Sequence, residues 1–143
     1  MTIAGKFFGP TLLGIIVLGV ASVQAQTKTA CTGVLVAPKT GHNCTENTCS
    51  NKSSGACASC VDLVVSVPQG SEVVSKHCYT VAAYPDDSAH GSLHEVECTK
   101  DNSWSVFDDP VVDSSGSSVK VSTTYHNRSD NRDRDVKLCV EWR

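Results

Sequence analysis

The residues best equipped for chemistry in this chain are eight cysteines: Cys31, Cys44, Cys49, Cys57, Cys60, Cys78, Cys98 and Cys139. Thiols staple, bind soft metals or exchange electrons. Cys57-Ala58-Ser59-Cys60 has redox-motif spacing, but such a motif opens a helix in a strand–helix–strand setting. Here it precedes VDLVVSV, which reads as a strand. Structural bridging is therefore the reading for all eight, as four disulfides. Cys57 and Cys60 are not expected to pair with each other, because structural bridges favour longer loops.

The other constellations are weaker. His90 and His94 stand four apart, with Glu95 and Glu97 following. On a helix that spacing would place two imidazoles on one face for zinc, but Gly91-Ser92 interrupts and the flanks read as a loop entering a strand. Asp130, Asp133 and Asp135, or Asp86, Asp87, Asp108 and Asp109, offer oxygens for calcium. They lack the central glycine and alternation of a calcium loop, so solvated turns are expected. No metal or other cofactor follows. A small hydrolase such as a ribonuclease needs a base, an acid and a phosphate-binding cation. His77, His90, His94, His126, Glu95, Glu97 and Arg128 supply the types, but no motif fixes their geometry. No serine sits in a G-x-S-x-G turn. A non-enzyme is the favoured reading.

Something must place these residues, and the chain begins with an address. Lys6, then the apolar Thr11 to Val23, then Val23-Gln24-Ala25 read as a secretory signal cleaved before Gln26. The apolar run is too short for a membrane span, so no membrane insertion is expected after cleavage. Residues 26–143 make one domain in an oxidising, extracellular setting where cysteines pair. The formal charge of −3 becomes more negative once Lys6 is lost, which disfavours nucleic acid and anionic membranes as partners. Secretion also gives meaning to the sequons at Asn43, Asn51 and Asn127. The mature chain has no adjacent basic pair for processing into peptides, and KLCVEWR carries no lipid-anchor signal.

The mature part lacks isoleucine and is dominated by valine, which is stiff at its first torsion and suits a pleated surface. Segments Val61–Val67, Glu72–Tyr84, Leu93–Thr99, Ser103–Phe107, Ser118–His126 and Asp135–Trp142 read as strands between turn-forming runs. The expected fold is mainly β: a small disulfide-rich antiparallel sandwich or barrel with a cysteine-dense, loop-rich cap. The cap spans residues 26–60 and the valine-rich part 61–143, in one folded unit. Alternation puts Val119, Val121, Thr123 and Tyr125 on one face, and Val136, Leu138, Val140 and Trp142 on one face. The polar run between these strands predicts a hairpin. The same alternation turns Cys78 and Cys139 away from the valines, so that they either pair with each other or both reach into the cysteine-dense cap. Valine buries little area per side chain, and disulfides contribute roughly 2–4 kcal/mol each, so full reduction is expected to unfold the protein.

From Cys60 to Pro110 the order Cys60, Gly70, Cys78, Gly91-Ser92, Cys98, Trp104-Ser105, Pro110 resembles the sushi (complement-control) module, which has four cysteines and a tryptophan before the last. The chain departs from that pattern, since no cysteine follows Trp104 until Cys139, and no binding role is carried over. Together these features predict a secreted, cysteine-rich, non-enzymatic protein, effector-, toxin- or inhibitor-like, that binds an extracellular protein or polysaccharide. A small secreted hydrolase and a structural matrix or cell-wall component are the alternatives. The exposed candidates are the loops Pro85–Ser92 and Asn127–Asp135, with Trp104 and Phe107 as anchors if they are not core.

Overall fold

The computed structural model describes residues 24–41, 49–50, 57–81, 92–99, 105–129 and 131–143, together with the isolated positions 14, 16 and 19. Two antiparallel sheets face each other. The first has the order β1 (Lys28–Cys31), β10 (Arg134–Trp142), β5 (Val73–Val81), β6 (Leu93–Val96), with β2 (Leu35–Ala37) also pairing with β10. The second has the order β3 (Cys49–Ser50), β4 (Cys57–Pro68), β9 (Ser118–Asn127), β7 (Ser105–Phe107), with β8 (Val111–Asp113) also pairing with β9. All six expected strands are present within the described residues. The additions are short, and part of the cysteine-dense segment is itself strand: β1 and β2 lie along β10, and Cys57–Cys60 opens β4.

Period-two patterning explains the seam. Leu63, Val65 and Val67 of β4 and Val119, Val121 and Tyr125 of β9 meet Val136, Leu138 and Val140 of β10. Phe107 stacks on Tyr125 with ring centroids 4.7 Å apart, and it is 2% exposed. Phe107 is thus core rather than an anchor for a partner. Trp104 lies outside the described residues.

Two sequence expectations are corrected. The polar run after β9 is not a hairpin turn. It carries the chain from the second sheet to the first, so β9 and β10 face each other through their apolar rows instead of pairing side by side. Cys78 does not pair with Cys139. The register between β5 and β10 runs Trp142↔Val73, then Glu141↔Ser75, skipping Val74. That bulge inverts the phase of β5, so Val73, Cys78 and Thr80 all point inward, whereas unbroken alternation would set Val73 opposite Cys78. Cys78 sits opposite Leu138 in the core, and Cys139 faces the other side.

Each disulfide whose two sulfurs are described joins strands or flanks of a single sheet. Cys31–Cys139 links β1 to β10, Cys49–Cys60 links β3 to β4, and Cys78–Cys98 ties β5 to the residues after β6. Cys57 is also disulfide-bonded, while Cys44 lies outside the described residues.

The two sheets are joined by apolar packing, by hydrogen bonds from Lys76 Nζ to the Pro110 carbonyl at 2.9 Å and from Thr80 Oγ1 to the Tyr125 hydroxyl oxygen at 3.4 Å, and by a polar clamp at one end. Asn127, fully buried at the end of β9, donates from Nδ2 to the carbonyls of Ala37 and Pro38 at 3.0 Å and of Arg132 at 2.9 Å. Its Oδ1 accepts from the Ser129 backbone N–H at 3.0 Å. Thr40 adds its N–H and hydroxyl to the Ser129 carbonyl, and the Lys39 N–H donates to Asp133 Oδ1. A tight turn at Pro68–Ser71, closed by Ser71 N–H to the Pro68 carbonyl, uses the positive φ of Gly70 to cross between sheets.

Candidate functional site

Polar side chains gather in two clusters on the outer faces of the sheets, each around a histidine. The first lies on the first sheet. Ser75 and His77 alternate along β5 with Tyr79, and register places them beside Glu141 and Cys139 of β10. Glu95 of β6 stands opposite Tyr79. His77 Nδ1 meets Glu95 Oε1 at 2.5 Å, and Nε2 meets Ser75 Oγ at 2.9 Å. The Ser75 hydroxyl donates to Glu141 Oε2. Partners on both nitrogens favour the imidazolium. The Glu95 hydrogen bond is the main cause that raises the His77 pKa above its ordinary 6.5, with Glu141 adding to it and burial opposing. Glu141 is held below its ordinary range by Ser75 first and His77 second.

These residues resemble a serine–histidine–carboxylate relay only in composition. A nucleophilic serine gives its proton to the histidine. Here the hydroxyl proton goes to Glu141, and His77 is a donor on both sides. The cluster is an ion-pair network suited to fixing β5 between its neighbours.

The second cluster lies on the second sheet. His126 ends the outward row of β9, opposite Cys60 of β4 and Val106 of β7. Its Nε2 lies 2.9 Å from Asp108 Oδ1. Its Nδ1 lies 3.2 Å from Cys60 Sγ and 3.5 Å from Cys49 Sγ. With Nε2–H donating to the carboxylate, the Nδ1 lone pair faces the disulfide. The imidazole is 7% exposed, although it shares the outward row. Cys49, Cys60 and His126 have ligand atoms within 4.8 Å of one another. A carboxylate on the far nitrogen of a ligating histidine is the usual outer support of a zinc site. In the disulfide form each sulfur is consumed by the other, so these residues suit a soft metal only after reduction.

Beside this cluster runs a groove of ≈ 320 Å³ lined by Asp62, Val64, Asp108, Asp109, Val111 and Thr124 among others. Val64 is 51% and Val111 63% exposed. Thr124 Oγ1 donates to Asp62 Oδ1 at 2.7 Å. The Thr123 hydroxyl donates to the Asp108 carbonyl at 2.6 Å, fixing the segment that carries Asp108 and Asp109.

Other residues singled out from sequence fall elsewhere. His94 is exposed on β6 of the first sheet, while His126 belongs to the second, so the structure does not bring these two hydrolase candidates together. His94 lies on a strand, so the helical His90/His94 spacing does not apply, and His90 is outside the described residues. Asp133 Oδ1 accepts from the Lys39 backbone N–H, and Asp108 Oδ1 meets His126 Nε2. Asn43 and Asn51 are outside the described residues. Asn127 is buried, and its Nδ2 donates to three carbonyls. The loop Asn127–Asp135 is not a free binding loop: Asn127, Ser129 and Arg134 are buried. The other loop is described only at Ser92.

Sequence reasoning missed the pairing of His126 with Cys60 and Asp108. The only local signal was His126's place opposite the Val–Tyr row. Its partners lie far away along the chain.

The fold and its bridges define a small disulfide-bonded β-sandwich. Comparison with protein-family models, with curated proteins and with solved structures finds no match, so the sushi-like order of residues 60–110 carries no family assignment. The disulfides point to an oxidising compartment.

Proposed function

We propose that this is a secreted, non-enzymatic binding protein, and that it docks an extracellular protein on the outer face of the second sheet. The observation that carries this reading is the groove. Exposed Val64 and Val111 are set among Asp62, Asp108 and Asp109, and none of the described residues lining the groove is Lys or Arg. An apolar centre with an acidic rim is complementary to a partner surface bearing an apolar knob among Lys and Arg. The bridges and the paired strands beneath hold this face rigid, so little ordering entropy opposes binding. An effector-, toxin- or inhibitor-like role rests on the same argument: a rigid, stapled surface persists in hostile fluids.

The test compares capture of extracellular proteins by the native chain and by Val64→Thr/Val111→Thr combined with Asp109→Asn. These changes keep β-branching at the strands and alter exposed side chains only. The reading expects a basic partner whose retention falls by more than tenfold in the variant and weakens steeply with salt. Retention by polysaccharide unaffected by the substitutions, or self-association alone, would overturn it in favour of a matrix role.

A further inference from the structure

We infer that Cys49–Cys60 is an exchange-active disulfide, opened by thiols with His126 as the proton donor to Cys60, and not an inert staple like the others. Three features set this bridge apart. Both of its cysteines are half-buried, so either sulfur can leave toward solvent, whereas Cys31–Cys139 joins an exposed residue to one 5% exposed and Cys78–Cys98 a half-buried residue to one 0% exposed. Among the three fully described bridges it alone has an imidazole nitrogen against its sulfurs, and that nitrogen is nearer Cys60 than Cys49. The imidazole is oriented from behind by Asp108, itself on the rim of the open groove.

Exchange is limited by the leaving thiolate as well as by the attacking one. The geometry names which sulfur leaves. The thiolate of a low-molecular-weight thiol or of a partner protein attacks Cys49 Sγ and forms a mixed disulfide. The Cys49–Cys60 bond breaks, and its electron pair goes to Cys60 Sγ. The proton released by the attacking thiol is taken up at the His126 Nδ1 lone pair and handed to Cys60 Sγ, while Nε2–H stays on Asp108. A second thiol resolves the mixed disulfide, so two thiols become one disulfide and the protein gains two thiols. Among described groups, Asp108 and the two sulfurs face the imidazole directly; Asp62 and Asp109 lie further along the groove.

The opened form presents two thiols and Nδ1 at one point of the surface. The site is therefore a modification site for glutathione-type thiols or for a thiol on a docked partner. The inference stands on the disulfide's surroundings and does not depend on the groove binding a protein.

The experiment treats the intact oxidised protein with limiting reduced glutathione at neutral pH, alkylates free thiols with time, and maps them by mass. Cys49 and Cys60 should open first, at least about tenfold faster than Cys31–Cys139 and Cys78–Cys98, with glutathione trapped on Cys49. His126→Gln should slow this opening about tenfold and leave the other bridges unchanged. Asp108→Asn, which alters a largely exposed carboxylate and keeps the imidazole, should slow it less; it decides the matter if His126→Gln fails to fold. Opening of another bridge first, glutathione on Cys60 alone, or rates unchanged in both variants would overturn the inference.

Discussion

Replacing Asn127 should cost more stability than any exposed substitution in this protein. Its amide is fully buried and reaches three carbonyls, those of Ala37, Pro38 and Arg132, while its oxygen holds the Ser129 N–H. Two N–H protons serve three acceptors, so two hydrogen bonds is the fair count for Nδ2, with one more for Oδ1. Each contributes about 0.5–1.5 kcal/mol net, and an orphaned buried partner costs about 1–3 kcal/mol. Asn127→Ala should therefore destabilise by about 3–5 kcal/mol, against a typical total of about 5–15 kcal/mol. Asn127→Asp keeps the shape and the Ser129 contact but points a carboxylate oxygen at three carbonyls. Its cost at neutral pH should match or exceed that of alanine. It should shrink as pH falls, because burial and the carbonyls raise that carboxyl's pKa and the protonated form regains one donor. Urea unfolding at several pH values, reading midpoint and m-value separately, measures this. A loss below about 1 kcal/mol for both variants would refute the clamp.

Three further outcomes are expected. Paired alanine substitutions should rank the bridges by loop closure, with Cys31–Cys139 (separation 108) costing about 4.8 kcal/mol, Cys78–Cys98 (separation 20) about 3.3 kcal/mol and Cys49–Cys60 (separation 11) about 2.8 kcal/mol by chain entropy alone. Denaturation of each pair checks the order, which fails if Cys49–Cys60 costs the most. His77 has its pKa raised in the fold, chiefly by Glu95, so its contribution is complete below its ordinary 6.5 and disappears as pH rises through the raised value. His77→Gln should therefore be less stable than the native chain near pH 6 and converge with it at alkaline pH; a constant difference across that window contradicts the ion-pair account. Peptide mapping of the protein expressed through a glycosylating secretory pathway should find Asn127 without a glycan, and a glycan there would contradict the buried amide.

How far the sequence announced this structure depends on chain separation and on what interrupts a pattern. The inward rows of β9 and β10 alternate without a break, so Val119, Val121, Tyr125, Val136, Leu138 and Val140 were legible as core. In β5 one skipped residue at Val74 inverted the phase, and Cys78 was misplaced with it. No composition cue marks that bulge, because it arises from pairing with β10. The strands β1, β2, β3 and β8 span two to four residues, too few for a period to show. Polarity misled at Asn127 and Ser129: they read as part of a solvated turn, yet both are buried because the clamp satisfies their polar groups. The His126 cluster was illegible for a simpler reason. Cys49, Cys60, Asp108 and His126 meet only once two strands pair and a third segment folds over them.

The placement of the bridges bears on what reduction does. Full reduction is expected to unfold the chain, but the three fully described bridges do not hold the two sheets together. Cys31–Cys139, Cys49–Cys60 and Cys78–Cys98 each close within one sheet, and the seam between sheets rests on apolar packing, the Lys76 and Thr80 hydrogen bonds and the Asn127 clamp. Opening Cys78–Cys98 frees a sulfur that belongs to the core, and opening Cys31–Cys139 releases the longest loop. Opening Cys49–Cys60 releases the shortest of the three and removes no core contact. The bridge with the most reactive surroundings is thus the one whose loss the fold tolerates best. Partial reduction should give a species open only at Cys49–Cys60 that keeps native near-ultraviolet dichroism and a nearly native m-value. If that species is already unfolded, the bridge is structural first, and the histidine beside it has no folded state in which to act.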